Sequence, residues 1–345
     1  MPTIREIAKL ANVSPGTVSR ALNPNKKQAV ASETIEKVKK IAAEVGYEPV
    51  QHKETSQHVL TCALITTLTL QEETEDEYWH FIRKGIYETA AKESVAIQNI
   101  FRIQNGIKPN VVADFDAVII LGSLSSNAIM RFKAYNKNIV IIDDVKSDDS
   151  HVDTIGTNLY ALTRMALDKL SADTDGPIAF IGGNRLELRS NGSVEQVVDD
   201  PRTSAYHDWA AIKRQKELLK LTSWSSQAGL TAVEALLSES QTKIGALLVA
   251  SDPLAIGVMK GLREQNIMPG KDISIISFDG IKLASFLTPV LTSIWLPKEE
   301  LGITAINQIK NLVTTNRDWS VRTEIPGRLG TGDTYPIREE TENEL

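Results

Sequence analysis

Apolar residues follow two different rhythms along this chain, and the change falls near residue 58. Up to residue 47 only helical spacing occurs. Ile4, Ile7, Ala8 and Ala11 recur at i, i+3, i+4 and i+7, which predicts one buried face of a short helix. Asn12-Val13-Ser14 interrupts it. Ser14 is a good N-cap and Pro15 suits a first helical turn, so a second helix is predicted over Pro15–Leu22, stopped by Asn23-Pro24-Asn25. A third helix is predicted over Glu33–Val45. Ser32 would cap it, Ile35, Val38, Ile41 and Ala42 would face inward, and Gly46 would follow its end.

Residues 48–58 are polar and aperiodic and read as a linker. Beyond it, short apolar runs alternate with amphipathic stretches. Strands are predicted at 59–66, 95–101, 117–121 and 139–143, with helices near 78–93 and 125–135. The theme then repeats, with strands at 177–183, 246–251 and 273–279 and helices near 158–170, 203–219, 226–238 and 253–265. Continuous Val/Ile-rich strands between helices imply parallel sheets covered on both faces. Two such blocks of similar size imply two doubly wound lobes. The lobes are expected at about 59–157 with 297–317, and at about 158–294 with 318–336, ahead of an acidic tail at 337–345.

Charge sharpens this division. Residues 1–53 carry nine Lys/Arg against five Asp/Glu, a net +4, in a chain of 345 residues whose net charge is −6. A basic head on an acidic body concentrates phosphate attraction at one end. The single cysteine, Cys62, rules out an intrachain disulfide and fits a reducing compartment. The opening MPTIREIAKLANVS has no apolar h-region, and no stretch reaches the roughly eighteen apolar residues of a membrane span. A cytoplasmic protein without membrane contact is expected.

The segment TIREIAKLANVSPGTVSRALN has the layout of a helix-turn-helix, whose second helix enters the major groove. Ala11 is small where helices cross, and Val13 and Val18 are apolar at the turn and core. Arg20 can bond guanine bidentately, while Thr3, Ser14, Thr17 and Ser19 can reach phosphates. Three packed helices with solvated polar residues would be the plainer account. The string nevertheless resembles the head of the lactose/galactose repressor family (LacI/GalR) through Thr3, Ile4, Ile7, Ala8, Ala11, Val13, Ser14, Thr17, Val18, Ser19, Arg20, Leu22 and Asn23. Val38, Ala43 and Gly46-Tyr47 continue the match. The resemblance puts the first two recognition-helix positions on Pro15 and Gly16, which cannot hydrogen-bond a base, so discrimination leans on Arg20 and on DNA shape. It also implies a hinge leucine that wedges into the minor groove. Here 50–58 reads VQHKETSQH, with no leucine and only Val50 or Val59 as substitutes.

The resemblance extends over nearly the whole chain. It implies an all-α helix-turn-helix head on a two-lobed α/β domain like a periplasmic binding protein, with a small sugar bound between the lobes. The segment LLVASDPLAIGVMKGLREQNIMPGKDISIISFDGI matches the family through Asp252 and the final Asp279. Asp252 sits where a strand passes into a helix, so it can be a ligand carboxylate, a helix cap, or both. Arg202 matches an arginine that binds effector hydroxyls or carboxylate in the family, and alone it would read as a surface arginine. Trp224 can cover the apolar face of a pyranose or sit in the core. Asp143 and Trp295 face the same cleft if the alignment holds, with a structural role equally open. The run LQEETEDEYWHFIRKGI resembles the galactoside-responsive branch, which points to Tyr78 and Trp79 as cleft residues.

No catalytic constellation or cofactor motif occurs, and the five histidines lack metal-ligand spacing. The expected protein is therefore not an enzyme and binds no metal. It is a sugar-controlled repressor that binds a pseudo-palindromic operator as a homodimer. The alternative is a sugar-binding component of a transport system, which would have no DNA activity.

Overall fold

The computed structural model describes residues 3–22, 30–47, 59–143 and 152–335. The chain divides into two units, Met1–His58 and Val59–Leu345. The linker at 48–58, Asn23 and the acidic tail lie outside the described residues.

The first unit packs α1 (Ile4–Ala11), α2 (Pro15–Leu22) and α3 (Ser32–Glu44) around Ile7, Ala8, Ala11, Val18, Ala21, Val38 and Ala42. Thr3 starts α1 in a capping box: its hydroxyl accepts from the Glu6 amide, and its own amide donates to Glu6 Oε2 at 2.8 Å. Asn12, left-handed at φ 53°, ends it. Ser14 caps α2 by accepting from the Thr17 amide at 3.1 Å. The start of α3 differs from expectation. Ala31 is the cap and Ser32 the first helical residue, because the Ala31 carbonyl already takes the first helical bond, from Ile35. Gly46, at φ +66°, closes α3 in a Schellman turn, with the Tyr47 amide donating to the Ala42 carbonyl at 2.8 Å.

The second unit holds two six-stranded sheets. Lobe one begins with β1 (Leu60–Thr66), α4 (Leu70–Glu75), α5 (Glu77–Lys92), β2 (Val95–Arg102), β3 (Ala117–Leu121), α6 (Ser126–Lys133), β4 (Ile139–Ile142) and β5 (Asp153–Gly156). Lobe two follows with α7 (Leu159–Asp173), β6 (Ile178–Gly183), β7 (Arg185–Leu188), β8 (Val194–Val198), α8 (Pro201–Lys213), β9 (Leu219–Thr222), α9 (Ser226–Glu239), β10 (Ala246–Val249), α10 (Asp252–Glu264), β11 (Ser274–Asp279) and β12 (Ser293–Trp295). The chain then returns to lobe one for α11 (Lys298–Thr315) and β13 (Arg322–Glu324), and ends in lobe two with β14 (Arg328–Leu329). The strand orders are β13-β5-β4-β3-β1-β2 and β14-β12-β11-β10-β6-β9. Within these two sheets every pairing is parallel except β12–β14, while β7 and β8 pair antiparallel as a separate hairpin. Strands such as AVIIL and ALLV are buried along their whole length, as two-sided cover demands.

Two expectations need correction. The helix expected to 219 stops at Lys213, where Arg214 turns left-handed at φ 53°. Gln215 then bonds the Ile178 backbone through both its amide atoms and sets the chain down as β9. The lobe boundary at 318 is also misplaced, since β13 completes the sheet of lobe one beside β5. A buried anchor explains this. Arg317 grips Asp153 with two guanidinium nitrogens, and the Val321 amide donates to the same carboxylate at 2.9 Å. Three charged or polar residues, Arg-Thr-Glu, form β13, so no apolar run announced it.

Helices α5 and α11 cross at two glycines. A Cβ on Gly85 would lie 2.2 Å from the Glu299 carbonyl oxygen, and one on Gly302 would lie 2.2 Å from that of Ile82. Gly85→Ala should therefore lower stability by about 1–3 kcal/mol through overpacking, although alanine gains about 1 kcal/mol in helix propensity. Urea denaturation would show a lower midpoint at unchanged slope; a raised midpoint would mean the helices can separate freely.

Candidate functional site

In the first unit, α2 turns Val18 and Ala21 inward and leaves Pro15, Gly16, Ser19 and Arg20 on one exposed face. The Arg20 Nε donates to the Gly16 carbonyl at 3.1 Å, so its side chain lies along this face. Ser14 and the half-buried Thr17 share a 2.9 Å hydroxyl contact at the helix start. Thr3 spends its hydroxyl on its own helix, bonding Glu6. Asn23 lies outside the described residues.

In the second unit, polar residues collect where strands end. Both sheets reverse their winding, at β1/β3 and at β6/β10, and such reversals open a crevice at the carboxyl ends of strands. Arg202 lies there, buried at 8 % exposure. Asp200 caps α8, accepts from Arg202 Nε at 2.7 Å and from Nη2 at 3.0 Å, and takes the Arg202 amide as well. The remaining guanidinium nitrogen donates to the Ala250 carbonyl at 2.7 Å. Trp224 and Phe278 flank the cation, 4.9 and 5.6 Å from it. Burial acts to raise the Asp200 carboxyl, but the Arg202 charge and hydrogen bonds outweigh it and hold the group below the usual range.

Three carboxylates surround this pair. Asp143 ends β4 at φ 66° and accepts from the Tyr78 hydroxyl at 2.9 Å. Burial pushes it up to about 6, against the pull of Arg202 and Tyr78. Asp279 ends β11 at φ 105°, and burial raises it despite Arg202 and Lys298. Asp76 caps α5 by accepting from the Tyr78 amide at 2.9 Å. Burial first, then the charge of Asp279, pushes it up to about 7. Trp79 meets Tyr78 edge to face at 5.1 Å. Trp224 donates its indole N–H to the Asn184 carbonyl at 3.0 Å. Trp295 lies under the Arg328 guanidinium, 4.0 Å from its ring centre. At the rim, a cavity of about 380 Å³ is lined by Glu77, Phe81, Lys282, Trp295 and Lys298 among others.

Asp252 corrects the expectation that it offers its carboxylate to a ligand. It is fully buried, with one oxygen accepting from the Ser277 hydroxyl and the other from the Ile281 amide at 2.8 Å. The helix cap beside it is Ser251, so Asp252 ties the start of α10 to the end of β11. Sequence reasoning missed Asp76, Asp200 and Arg185. Asp200-Pro201 is a helix-start signature that was available; Asp76 was hidden inside an acidic run. Of that run, Glu73 pairs with Arg83 and Arg102, and Glu77 accepts from the Lys282 amide.

Comparison with known proteins agrees with both units. Residues 3–50 match the family described as bacterial regulatory proteins, lacI family, and residues 177–335 match a periplasmic binding protein-like domain. The HTH-type transcriptional repressor MelR of Bacillus subtilis (strain 168) is 29% identical over 313 residues, covering 89% of this chain and 90% of that protein. The transcriptional regulator CelR in complex with cellobiose superposes with a TM-score of 0.67 at 19% identity, over 97% of this chain and 100% of that one. The lac repressor dimer bound to operator and the anti-inducer ONPF gives 0.67 at 22% identity, over 97% and 99%. Among the described residues no helix is long and apolar enough to cross a membrane.

A carboxyl group raised in the folded state contributes stability that is fully present below its unfolded value, near pH 4, and is lost as pH rises through about 7 for Asp76. Asparagine keeps the cap and removes the charge. Asp76→Asn should therefore be more stable than the parent by at least about 1 kcal/mol at pH 8, with the gap closing toward pH 4. Thermal melts across that range check it; a constant gap would take Asp76 out of the acidic cluster.

Proposed function

The chain belongs to the LacI/GalR family of DNA-binding transcriptional regulators, and from that premise we propose that it is a repressor whose operator affinity is controlled by a sugar held between its lobes. The observation that carries this reading is the gathering of Arg202, Asp143 and Asp279 with Tyr78, Trp79 and Trp224 at strand ends. Sugar hydroxyls donate to carboxylates and accept from a guanidinium, and pyranose C–H faces stack on aromatic rings. Arg202 has two N–H groups left once its bonds to Asp200 and Ala250 are made, enough to meet a hydroxyl oxygen. Trp295 serves as a wall at the rim rather than a stacking face, since Arg328 covers it.

A galactoside is the preferred effector, on the strength of the acidic run that leads into Tyr78-Trp79. The lac repressor and CelR comparisons carry a small-molecule ligand with the same overall fold. DNA reading falls to the exposed face of α2, with Arg20 as its base-contacting residue and Ser14, Thr17 and Ser19 near phosphates. Pro15 and Gly16 add shape without hydrogen bonds. A head that reads one half-site needs two-fold symmetry to read a palindrome, so the working form is a homodimer.

Two measurements test this. Arg20→Ala should weaken specific operator binding by about 1–3 kcal/mol and relax preference at one base pair per half-site, read by competition on a single-base operator library. Uniform weakening across the library would remove Arg20 from base contact. Calorimetry with galactose, melibiose and lactose should detect binding by at least one, weakened at least about tenfold in Asp143→Asn with the fold intact. If none of the three binds, the galactoside reading fails.

A further inference from the structure

The β7–β8 hairpin belongs to lobe two by chain order, between β6 and α8, yet its contacts are with lobe one. The Ser125 amide donates to the Leu188 carbonyl at 3.0 Å, and the Ile107 amide donates to the Ser190 carbonyl at 2.7 Å. Leu124 and Leu188 form a parallel bridge. Leu188 is 7% exposed and packs in the lobe-one core with Ile103, Ile107 and Leu124. The tip is fitted just as closely. Gly192 stands at φ +83°, where a Cβ would lie 2.6 Å from the Ile103 carbonyl oxygen. At the base, Arg185 Nε donates to the Ser123 hydroxyl at 2.7 Å.

Both stems of the hairpin run straight into the cleft. On one side Asn184 holds the Trp224 indole through its carbonyl. On the other, Val198 leads to Asp200, which grips Arg202. The charge of Arg185 reaches Asp143 in lobe one and Asp200 in lobe two.

We propose that this hairpin is a clasp that travels with lobe one, so that any movement between the lobes bends its two stems and shifts Trp224 and the Arg202–Asp200 clamp, with Arg185 as the positioning residue at its base. Breaking the docked hairpin away from lobe one would expose Leu188 and leave the Ile107 and Ser125 amides without partners. Bending at Asn184 and Asp199 breaks neither, so the stems are the softer points. Lobe position is thereby coupled to the groups that Proposed function assigns to the sugar. The clasp itself does not depend on that assignment.

The test uses the full-length, sugar-free protein. In the parent, the Ile107 and Ser125 amides should exchange as slowly as the central strands of lobe one. Leu188→Ser should speed both by at least about tenfold while β1 and β3 stay protected. Gly192→Val, which perturbs only the tip, provides a second variant should Leu188→Ser fold poorly. The same variants should move the indole N–H resonance of Trp224 in a nitrogen-15 spectrum and leave that of Trp209, bonded to Asp168, in place. Arg185→Gln should shift the Trp224 resonance without speeding exchange at Ile107. Fast exchange at Ile107 and Ser125 in the parent, or an unmoved Trp224 resonance in the variants, would overturn the clasp. Because no sugar enters these measurements, a failure of the sugar reading is seen separately, in the calorimetry.

Discussion

Arg202 carries a permanent positive charge into a site that water barely reaches, and the arrangement of lobe two follows from compensating it. An unpaired buried guanidinium would cost several kcal/mol, and a single carboxylate repays this only with good geometry. Asp200 supplies that geometry because Pro201 starts α8 immediately after it, which fixes the cap and the carboxylate together. Trp224 and Phe278 close over the pair, and Gly183 leaves the room that Trp224 needs, since a Cβ there would lie 2.2 Å from its ring. The pair is thus built into the strand ends rather than appended to them, and any ligand in the crevice meets a cation already held in place.

Around that cation the carboxylates are in excess. Asp76 and Asp143 come from lobe one and Asp279 from lobe two, and burial raises all three. Like charges facing one another from two lobes disfavour closure, while hydroxyl donors placed between them favour it. Under the proposed function, that difference would let a neutral, donor-rich molecule bias the lobe equilibrium, because a ligand shifts such an equilibrium only by its differential affinity. Asp143 and Asp279 both have positive φ, each turning the chain sharply at a strand end, where Asp143 accepts from the Tyr78 hydroxyl and Asp279 from the Asp252 amide.

Much of the head was legible, because caps, turns and apolar spacing are local: Ser14 and Gly46 act where the pattern put them, whereas Thr3, expected at a phosphate, caps its own helix. The two lobes were legible from continuous apolar strands for the same reason. Features set by distant partners were not. β13 is polar and owes its place to the buried Arg317–Asp153 pair. The β7–β8 hairpin alternates too weakly to announce strands, and its register rests on contacts with residues 60 or more positions away. Asp252 matched a familiar position, yet its burial against Ser277 and Ile281 could be seen only once β11 was in place. Asp143, Asp279, Arg202 and Trp224 do come together, which strand ends and the family resemblance together made readable.

In the proposed switch, sugar in the crevice and DNA at α2 are linked through one conformational equilibrium. The direct measurement is the operator dissociation constant of the full-length protein, by fluorescence anisotropy at fixed salt, with and without a saturating galactoside. The operator constant should change by at least about tenfold, and the sugar's dissociation constant by an equal factor when operator is present, since linkage is reciprocal. A sugar that binds in the crevice while operator affinity stays the same would contradict it.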